Sequence, residues 1–443
     1  MTTNNTYHST TSTHAGPLRV IMSAGGTGGH VYPAIAIADA LSSMVDSLDV
    51  IFVGTKNRME WAAVPKAGYP IRSLWISGIS RTQWWKNLWV PLKIVVSLCQ
   101  SFWLCIRTKP DAVVACGGFV SGPMGKMAGW LGIPLYIQEQ NTHPGVTTRL
   151  LARQAKHLFL TFEDLDGHFK GLPQTVTGNP TRQSLLESIP HQESGTGLSA
   201  TSGLSEFSNL SEPSGSESHT QKPSKPTVLL LGGSGGAGSL NQKIGSMLPT
   251  LGFKPEPGVA NGHDDAAPSF SEAPFSFVWQ CGKTYIDGVE RMLVDMNVSD
   301  HPDLHVTPFI EDMTSAYRDA TVVISRAGAG TLTELMLQSK AAILIPSPVV
   351  AGDHQRKNGQ RLVDKGAALM VEESTMENAL PTLLSELLAN QEKRTKLATS
   401  LHAMANPEAA HDIARHILKD TKASAPKSNT SKGMRESAQE VDA

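Results

Sequence analysis

The stretch Ser325-Arg-Ala-Gly-Ala-Gly-Thr-Leu-Thr-Glu334 decides the predicted fold of this chain. It follows the apolar run 321–324, which predicts a buried strand, and it leads into a helical pattern from Leu335. A strand, a tight glycine turn and a helix start place unpaired backbone N–H groups at one point, which attracts phosphate. Because Thr331 and Thr333 add hydroxyls and Glu334 adds a carboxylate that suits a ribose, the stretch predicts a nucleotide-sugar pocket. The alternative is a tight βα turn followed by a capped helix.

Length and composition restrict the class of protein. A chain of 443 residues predicts two or three domains. With 40% hydrophobic residues, 18% charged residues and a net charge of -2, the chain is ordinary globular protein, and nucleic acid is not an expected partner. Its four cysteines form no paired CxxC motif, which favours free thiols in a reducing compartment. Residues 1–16 lack a basic start and an apolar run, so we expect a disordered tail on a cytoplasmic protein rather than a secretory signal.

Strand-like and helix-like segments alternate in two separate parts of the chain. Alternation of this kind predicts α/β domains whose parallel sheets are covered on both faces, with ligands beyond the carboxyl ends of the strands. Each part opens with a strand, a glycine-rich loop and a helix, so we predict two tandem Rossmann-like doubly wound domains. The predicted divisions are a domain at 17–186, a disordered insert at 187–226, a domain at 227–421 with a loose insert at 252–274, and a disordered tail at 422–443.

The loop that opens the second part fits the dinucleotide-binding pattern. Residues 233–238 give G-x-G-x-x-G after a strand and before a helix. The acid that would bind the ribose of NAD should follow the next strand, near Gln280, and the sequence has none there. NAD is therefore not the expected ligand, although Ser234 and the backbone around it can still bind a pyrophosphate.

Two polar features stand at predicted sheet edges in the first part. His30 lies where the first glycine-rich loop becomes a helix, and a helix N-terminus disfavours the imidazolium, as a general base requires. The alternative for His30 is a capping or packing role. Glu139 and Asn141 belong to the run Gln138-Glu-Gln-Asn141, which follows a strand and places four polar side chains at one edge.

A tryptophan-rich run extends from Trp84 to Ile106 and is nearly long enough to span a bilayer. A spanning helix would split the α/β domain, so we expect an amphipathic helix that rests on a membrane surface. The predicted membrane contacts are Trp84, Trp85, Trp89 and Lys93. The alternative is an ordinary covering helix, which explains the aliphatic residues but not the tryptophans.

Several motifs in order resemble the MurG family, the N-acetylglucosaminyltransferases of peptidoglycan synthesis. The resemblance covers about residues 18–420 apart from the two inserts. The motifs are Gly25-Gly-Thr-Gly-Gly-His30, Gly117-Gly-Phe-Val-Ser-Gly-Pro123, Glu139-Gln-Asn141, Gly178-Asn-Pro180 with Arg182, Gly232-Gly-Ser234, Phe309-Ile-Glu-Asp-Met313, Arg326-Ala-Gly328 and Asp353-His-Gln355. Departures are Gln138, where relatives often have His, and Gly235, where Gln is common.

The resemblance implies a glycosyltransferase B-type fold, with two domains facing across a cleft, and assigns roles to individual residues. The 17–186 domain would bind the acceptor and the membrane, and the 227–421 domain would bind UDP-GlcNAc. His30 and Glu139 would be catalytic. The implied UDP-GlcNAc contacts are Thr27, Gly28, Gly29, Asn141, Arg182, Ser234, Ile310, Ala329, Gly330, Thr331, Leu332, Thr333, Glu334 and Gln355.

The implied reaction is an inverting transfer of GlcNAc from UDP-GlcNAc to the C4 hydroxyl of undecaprenyl-diphospho-N-acetylmuramoyl-pentapeptide. Because no Asp-x-Asp motif stands in a pocket loop, neither a metal nor another cofactor is expected. The implied place of action is the cytoplasmic face of the cell membrane, with an anionic lipid surface and other cell-wall synthesis and division proteins as partners. Two rivals stay open: another nucleotide-sugar enzyme on this fold, such as a diacylglycerol glycosyltransferase or a UDP-GlcNAc epimerase, and a non-catalytic nucleotide-sugar-binding scaffold.

Overall fold

The structure is a computed structural model that describes residues 16–78, 84–164, 166–187, 225–233, 235–255 and 270–424. The chain forms two compact units, Met1–Pro180 with Glu408–Ala443 and Thr181–Pro407. Ser234 lies outside the described residues, as do most of the predicted tails and inserts: 1–15, 188–224, 256–269 and 425–443. At the edges of the 252–274 insert, Pro255 and Phe270 form an isolated antiparallel bridge.

The first unit contains a seven-stranded sheet with the order β3-β2-β1-β4-β5-β6-β7. Every pairing is parallel. The central strands are buried along nearly their whole length, as expected for a parallel sheet with helices on both faces. The strands are β1 (Leu18–Ala24), β2 (Leu48–Gly54), β3 (Ile71–Ser73), β4 (Ala112–Gly117), β5 (Leu135–Glu139), β6 (His157–Leu160) and β7 (Gln174–Val176).

Helices cover both faces of this sheet. Its helices are α1 (Gly28–Met44), α2 (Glu60–Lys66), α3 (Val90–Thr108), α4 (Ser121–Trp130) and α5 (Val146–Leu151), with 3-10 turns at Trp84–Trp89 and Ala152–Gln154. Alternate residues of β1 point to opposite faces: Met22 joins the core beneath α1, and Ile21 joins the core beneath α3 and α4. The sheet is therefore stabilised by one hydrophobic core on each of its two faces.

The second unit contains a six-stranded parallel sheet with the order β10-β9-β8-β11-β12-β13. Its strands are β8 (Thr227–Leu231), β9 (Ser276–Gln280), β10 (Leu304–Thr307), β11 (Val322–Ser325), β12 (Ala342–Leu344) and β13 (Leu369–Met370). Its helices are α6 (Gln183–Leu186), α7 (Gly238–Met247), α8 (Ile286–Asp295), α9 (Met313–Asp319), α10 (Ala329–Gln338), α11 (His354–Asp364), α12 (Met376–Ala389) and α13 (Gln391–His402), with a 3-10 turn at Ala351–Asp353.

The last helix, α14 (Ala409–Ser424), packs in the first unit rather than the second. Ile413 and Ile417 are fully buried in the core beneath α1. The hydroxyl of Tyr136 donates to Asp420 over 3.1 Å. The sequence placed residues up to 421 with the second domain, because the apolar spacing of a helix shows that it is covered but not which sheet covers it.

Helix α3 has two different faces. Leu104 and Cys105 are buried in the core beneath α3 and α4, whereas Trp103 and Ile106 are exposed. Among the described residues, the helical segment Asn87–Thr108 is the one that is long and apolar enough to cross a bilayer by length and composition. Its buried face belongs to the crossover between β3 and β4, which agrees with a covering helix whose outer face is apolar.

Candidate functional site

The strand order of each sheet reverses at one point, and in α/β sheets ligands bind in the crevice at that point. In the first unit the reversal lies between β1 and β4. A Cβ atom added to Gly118 would lie 2.3 Å from the carbonyl oxygen of Gly25, so the two loops meet backbone to backbone. Since Gly118 also has a φ of +84°, only glycine suits this position.

The carboxylate of Glu60 stabilises the first glycine-rich loop through hydrogen bonds. Its Oε2 accepts the N–H of Gly26 over 3.0 Å, and its Oε1 accepts the backbone N–H and hydroxyl of Thr55 at 3.0 and 2.7 Å. Burial by itself would raise the pKa of Glu60, but these hydrogen bonds together lower that pKa below its ordinary value. Glu60 is fully buried, and no sequence motif marks its role because it lies 34 residues from Gly26.

His30 is half-buried at the start of α1, over the second glycine-rich loop. Its Nδ1 lies 3.0 Å from the carbonyl oxygen of Gly25. Because a carbonyl only accepts, Nδ1 donates the proton, and Nε2 of the neutral ring carries the lone pair that a general base uses. A Cβ atom added to Gly117 would lie 2.9 Å from this Nε2, so the missing side chain makes room for the ring.

The polar run Gln138–Asn141 begins within β5, whose last residue is Glu139, and its side chains mainly bond within the loop that follows. Glu139 is buried, and its two oxygens accept the N–H groups of Asn141 and Gly145, each over 3.1 Å. The amide of Gln140 donates to the carbonyl of Cys116 over 2.6 Å, which ties this loop to β4. The geometry favours Glu139 as the group that positions Asn141, and the predicted catalytic role of Glu139 stays a prediction. Asn141 is half-buried, and its amide lies 3.3 Å from Glu139.

In the second unit the strand order reverses between β8 and β11. Arg326, the first residue after β11, is buried and pairs with the buried Glu373 over 2.5 Å. Its guanidinium also donates to the carbonyl of Ile345 over 3.1 Å and to the hydroxyl of Ser239 over 3.3 Å. These contacts connect the first turn of α7 with the loops after β11, β12 and β13, so Arg326 holds together the elements around the crevice.

Helix α10 begins in this crevice with Gly328 as its N-cap and no side-chain cap or acidic first-turn residue. An uncapped N-terminus offers backbone N–H groups and the positive end of the helix dipole, the arrangement that binds phosphate. Ala329, Gly330 and Thr331 form this first turn.

Leu332 and Thr333, two of the UDP-GlcNAc contacts predicted on α10, are buried. Leu332 is fully buried, and its N–H donates to Gly328 over 3.0 Å. The hydroxyl of Thr333 is buried and donates to the carbonyl of Ala329 over 2.9 Å. The structure therefore places both side chains on the inner side of α10, where they support the first turn.

Glu334 is held from two sides. Arg182 donates to its Oε1 over 2.9 Å, and the hydroxyl of Tyr317 donates to its Oε2 over 3.0 Å. Burial and the neighbouring Glu334 carboxylate raise the pKa of Tyr317 well above its ordinary value, so the phenol stays protonated as a donor. The structure thus brings together two predicted site residues, Arg182 and Glu334, and adds Tyr317, which no sequence motif marks.

Two further predicted UDP-GlcNAc contacts of the second unit are Gln355, in the first turn of α11, and Ile310, in the loop after β10. The amide oxygen of Gln355 accepts the N–H of Ser347 over 2.8 Å, which holds the start of α11 against the loop after β12. Ile310 is half-buried in the loop after β10, beside Phe309, over whose ring the Lys283 ammonium lies at 5.5 Å. In the first unit Thr27 is exposed as the N-cap of α1, followed by buried Gly28 and half-buried Gly29.

Comparisons with known proteins agree with this architecture. The sequence model of the glycosyltransferase family 28 N-terminal domain matches residues 20–160, and that of the C-terminal domain matches residues 227–417. The chain is 37% identical over 402 residues to the UDP-N-acetylglucosamine--N-acetylmuramyl-(pentapeptide) pyrophosphoryl-undecaprenol N-acetylglucosamine transferase of Bacteroides fragilis, covering 91% of this chain and 95% of that protein. It is 38% identical over 402 residues to the protein of the same name from Phocaeicola vulgatus, covering 91% and 96%.

Solved structures give the same result for the fold. The crystal structure of Acinetobacter baumannii MurG matches with a TM-score of 0.66 and 28% identity, covering 91% of this chain and 100% of that one. The UDP-GlcNAc 2-epimerase of Neisseria meningitidis, with a TM-score of 0.56 and 14% identity over 90% of this chain and 100% of that one, shares the fold alone. Fold and matches together define a glycosyltransferase of the B-type fold. The chain belongs to glycosyltransferase family 28 and, within it, to the MurG family, which confirms the predicted fold class and family.

Proposed function

We propose that this protein transfers GlcNAc from UDP-GlcNAc to the C4 hydroxyl of undecaprenyl-diphospho-N-acetylmuramoyl-pentapeptide, the step from lipid I to lipid II of peptidoglycan synthesis. The curated relatives that carry this activity in their names support the proposal, because they match over most of both chains. The observation that carries it within the fold is the uncapped start of α10 beside the Arg182–Glu334 pair.

The second unit binds UDP-GlcNAc, the sugar donor. The first turn of α10 binds the diphosphate of UDP, and Glu334 accepts the ribose hydroxyls. Gln355 already holds Ser347 through its amide oxygen, so its NH2 group is the donor for the sugar hydroxyls. Ile310 packs beside the uracil, and Ser234 adds a hydroxyl near the diphosphate. As the glycosidic bond breaks, negative charge grows on the leaving UDP, and the helix N-terminus stabilises that charge in place.

The first unit binds the lipid-linked acceptor and supplies the general base. Transfer from an α-linked donor to a β-linked product inverts the anomeric carbon, so one base suffices. Nε2 of His30 removes the proton of the C4 hydroxyl as that oxygen attacks, while Nδ1 stays bonded to Gly25. Thr27, Gly28, Gly29 and Asn141 contact the donor sugar and diphosphate, and Glu139 fixes the position of Asn141.

The acceptor's lipid tail stays in the bilayer, so the enzyme works at the membrane surface, peripherally and on its cytoplasmic face. The outer face of α3 and its preceding turn supports this placement, because Trp85, Leu88 and Trp89 are 52%, 73% and 59% exposed. Contiguous exposed apolar residues mark contact surfaces. Arg107 lies over the ring of Trp103 at 5.0 Å, and Lys93 donates to Ser77 beside Trp75, so cations flank the apolar face.

Radiolabelled UDP-GlcNAc offered with alternative acceptors tests the proposal. We expect label in a lipid-linked disaccharide when the muramyl-pentapeptide lipid is supplied, and none in diacylglycerol. Label in diacylglycerol, conversion of the nucleotide sugar without transfer, or binding without turnover would each overturn the proposal in favour of a different activity. At UDP-GlcNAc concentrations below the wild-type KM, the variant Glu334→Ala, purified in the same way, shows whether a contaminating enzyme produces the signal.

A further inference from the structure

A cluster of metal-ligating side chains lies at the carboxyl edge of the first sheet and includes none of the groups that the proposed reaction uses. His143 belongs to the loop after β5, and Asp166 and His168 belong to the loop after β6. Oδ2 of Asp166 lies 3.8 Å from Nδ1 of His143 and 3.6 Å from Nε2 of His168. The three ligand atoms all lie within 4.8 Å of one another.

Two imidazole nitrogens and one carboxylate oxygen form a ligand set that zinc and related ions bind. At bond lengths of about 2.0–2.1 Å, tetrahedral geometry separates neighbouring ligand atoms by roughly 3.3 Å. The distances from the carboxylate to the two rings, 3.8 and 3.6 Å, exceed that separation by only a few tenths of an ångström. The third separation, between the two imidazole nitrogens, is at most 4.8 Å. Side-chain rotations that bring these nitrogens closer complete three corners of a tetrahedron, with solvent at the fourth.

Both loops are fastened independently of this cluster. On the β5 side, Glu139 accepts the N–H groups of Asn141 and Gly145, which lie on either side of His143. On the β6 side, Asp164 accepts the N–H groups of His168 and Phe169 over 2.9 and 2.6 Å. A metal site gains affinity when its ligands are positioned before the ion arrives, and these bonds position both loops.

The exposure of the three side chains suits an ion that enters from solvent. The side chains of His143 and His168 are 21% and 24% exposed, and that of Asp166 is 53% exposed. The two rings meet edge to face with their centroids 5.1 Å apart. Asp166 provides the open side through which a hydrated ion reaches the nitrogens.

We propose that His143, Asp166 and His168 bind one divalent transition-metal ion of the zinc class and thereby join the loops after β5 and β6. The bound ion restrains the 139–145 loop, which also carries Asn141. This site is a positioning device and supplies no step of the transfer. The proposal rests on the cluster alone and stands whether or not the proposed reaction is correct.

Titration of the full chain with Zn²⁺ tests the site. The protein carries no affinity tag, is first treated with a chelator, and competes with a chromophoric chelator for the ion. We expect one Zn²⁺ per chain, and loss of a ligand in His143→Ala or His168→Ala should weaken binding by about 100-fold or more, since outer-shell changes alone cost about 10- to 100-fold. Substitution by Co²⁺ should give the visible absorption of a low-coordinate nitrogen and oxygen site.

Matched controls separate this site from other histidines. His305→Ala removes an exposed histidine of the second unit, and a His8→Ala, His14→Ala double variant removes two from the N-terminal segment. Neither change should affect the stoichiometry or the affinity. Asp166→Asn keeps the shape of an exposed side chain, so it tests the site even where a histidine variant fails to fold.

A second readout follows the two loops directly. Hydrogen exchange of residues 139–145 and 164–169 should slow when Zn²⁺ is added to the wild type and stay unchanged in Asp166→Asn. Wild-type protein that binds no ion at micromolar Zn²⁺, or binding that survives all three substitutions, would show that the cluster is a histidine–carboxylate contact only.

Discussion

Arg182 and Glu334 lie 152 residues apart in the chain and 2.9 Å apart in the structure. The sequence predicts both as UDP-GlcNAc contacts, Arg182 through the family resemblance and Glu334 also through its place after a glycine-rich turn. Their contact makes them one unit, in which a guanidinium compensates a carboxylate that is largely shielded from solvent. A ribose that bonds to Glu334 therefore meets an acceptor that is already oriented by Arg182 and Tyr317.

The first prediction concerns this carboxylate. Glu334→Ala should raise KM for UDP-GlcNAc by about 10- to 100-fold, because hydrogen bonds to a charged group contribute about 1.5–3 kcal/mol each. Steady-state kinetics at saturating acceptor measures the change. Glu290→Ala, which alters an exposed carboxylate on α8, should leave KM unaffected. An unchanged KM in folded Glu334→Ala protein would remove this residue from the donor site.

The second prediction concerns His30. Its replacement by alanine should lower kcat by about 10²–10⁴ and leave the Kd for UDP-GlcNAc nearly unchanged, because proton transfer contributes to the transition state. The Gly25 carbonyl would lose its imidazole donor, so a thermal unfolding curve must accompany the kinetics. Wild-type turnover in a folded variant would show that His30 only packs against Gly117.

The third prediction concerns Glu60, which holds the loop that precedes His30. Glu60→Gln should lower the free energy of unfolding by about 1.5–3 kcal/mol, because a buried amide replaces a carboxylate that accepts three hydrogen bonds. Since the pKa of Glu60 is lower in the folded chain, its contribution is present above the ordinary pKa and is lost as the pH falls through the lowered one. Urea unfolding between neutral and acid pH measures both effects. A variant with an unchanged free energy of unfolding, or with the same pH dependence as the wild type, would contradict this role.

Local patterns predicted the parts of this protein that are built locally. Strand, glycine turn and helix start are adjacent in sequence, so the crevices and residues such as His30 and Glu334 could be placed from the sequence. Supporting groups depend on long-range contacts instead: Glu60 meets Gly26 across 34 residues, and Glu373 reaches Arg326 from a different strand end. Nothing in the residues around Glu60 or Glu373 marks such a partner. The unit in which α14 packs could not be predicted for the same reason.

The fourth prediction concerns the contact between α14 and the β6 edge. The rings of His157 and His416 lie 4.0 Å apart, with Asp420 beside His416 and the Thr175 hydroxyl 2.9 Å from His157. Burial lowers the pKa of His157, the facing His416 lowers it further, and Asp420, which also pairs with Lys156, opposes the change. A histidine with a lowered pKa takes up its proton more readily in the unfolded chain, so stability falls as the pH drops below the ordinary histidine value.

Urea midpoints at about pH 7.5 and about pH 5.5 measure this effect, because the ordinary histidine pKa of about 6.5 lies between them. We expect a lower midpoint at the acid pH and a smaller difference in His157→Gln. The exposed His305→Gln is the control and should keep the wild-type difference. Identical pH dependence in the wild type and His157→Gln would show that protonation of His157 does not affect the stability of the protein.

The fifth prediction concerns the membrane face of α3. Trp85→Ser combined with Trp89→Ser should reduce sedimentation with anionic vesicles, because tryptophans favour the headgroup layer. Basic side chains such as Arg107 each add about 1 kcal/mol near an anionic surface, so the remaining binding should weaken as salt increases. Activity should fall on a vesicle-embedded acceptor and hold on a short-chain soluble analogue, since the donor site and His30 are untouched.

Trp61 provides a matched control for this face. It is an exposed tryptophan on α2, whose buried Val64 joins the core beneath α1 rather than the core beneath α3. Trp61 and the tryptophans of α3 and its preceding turn therefore lie on opposite faces of one sheet, and a single flat membrane cannot contact both. Trp61→Ser should bind vesicles as the wild type does. Equal binding by the wild type and the Trp85, Trp89 double variant would mean that α3 only covers the sheet, and that the acceptor reaches the enzyme across another surface.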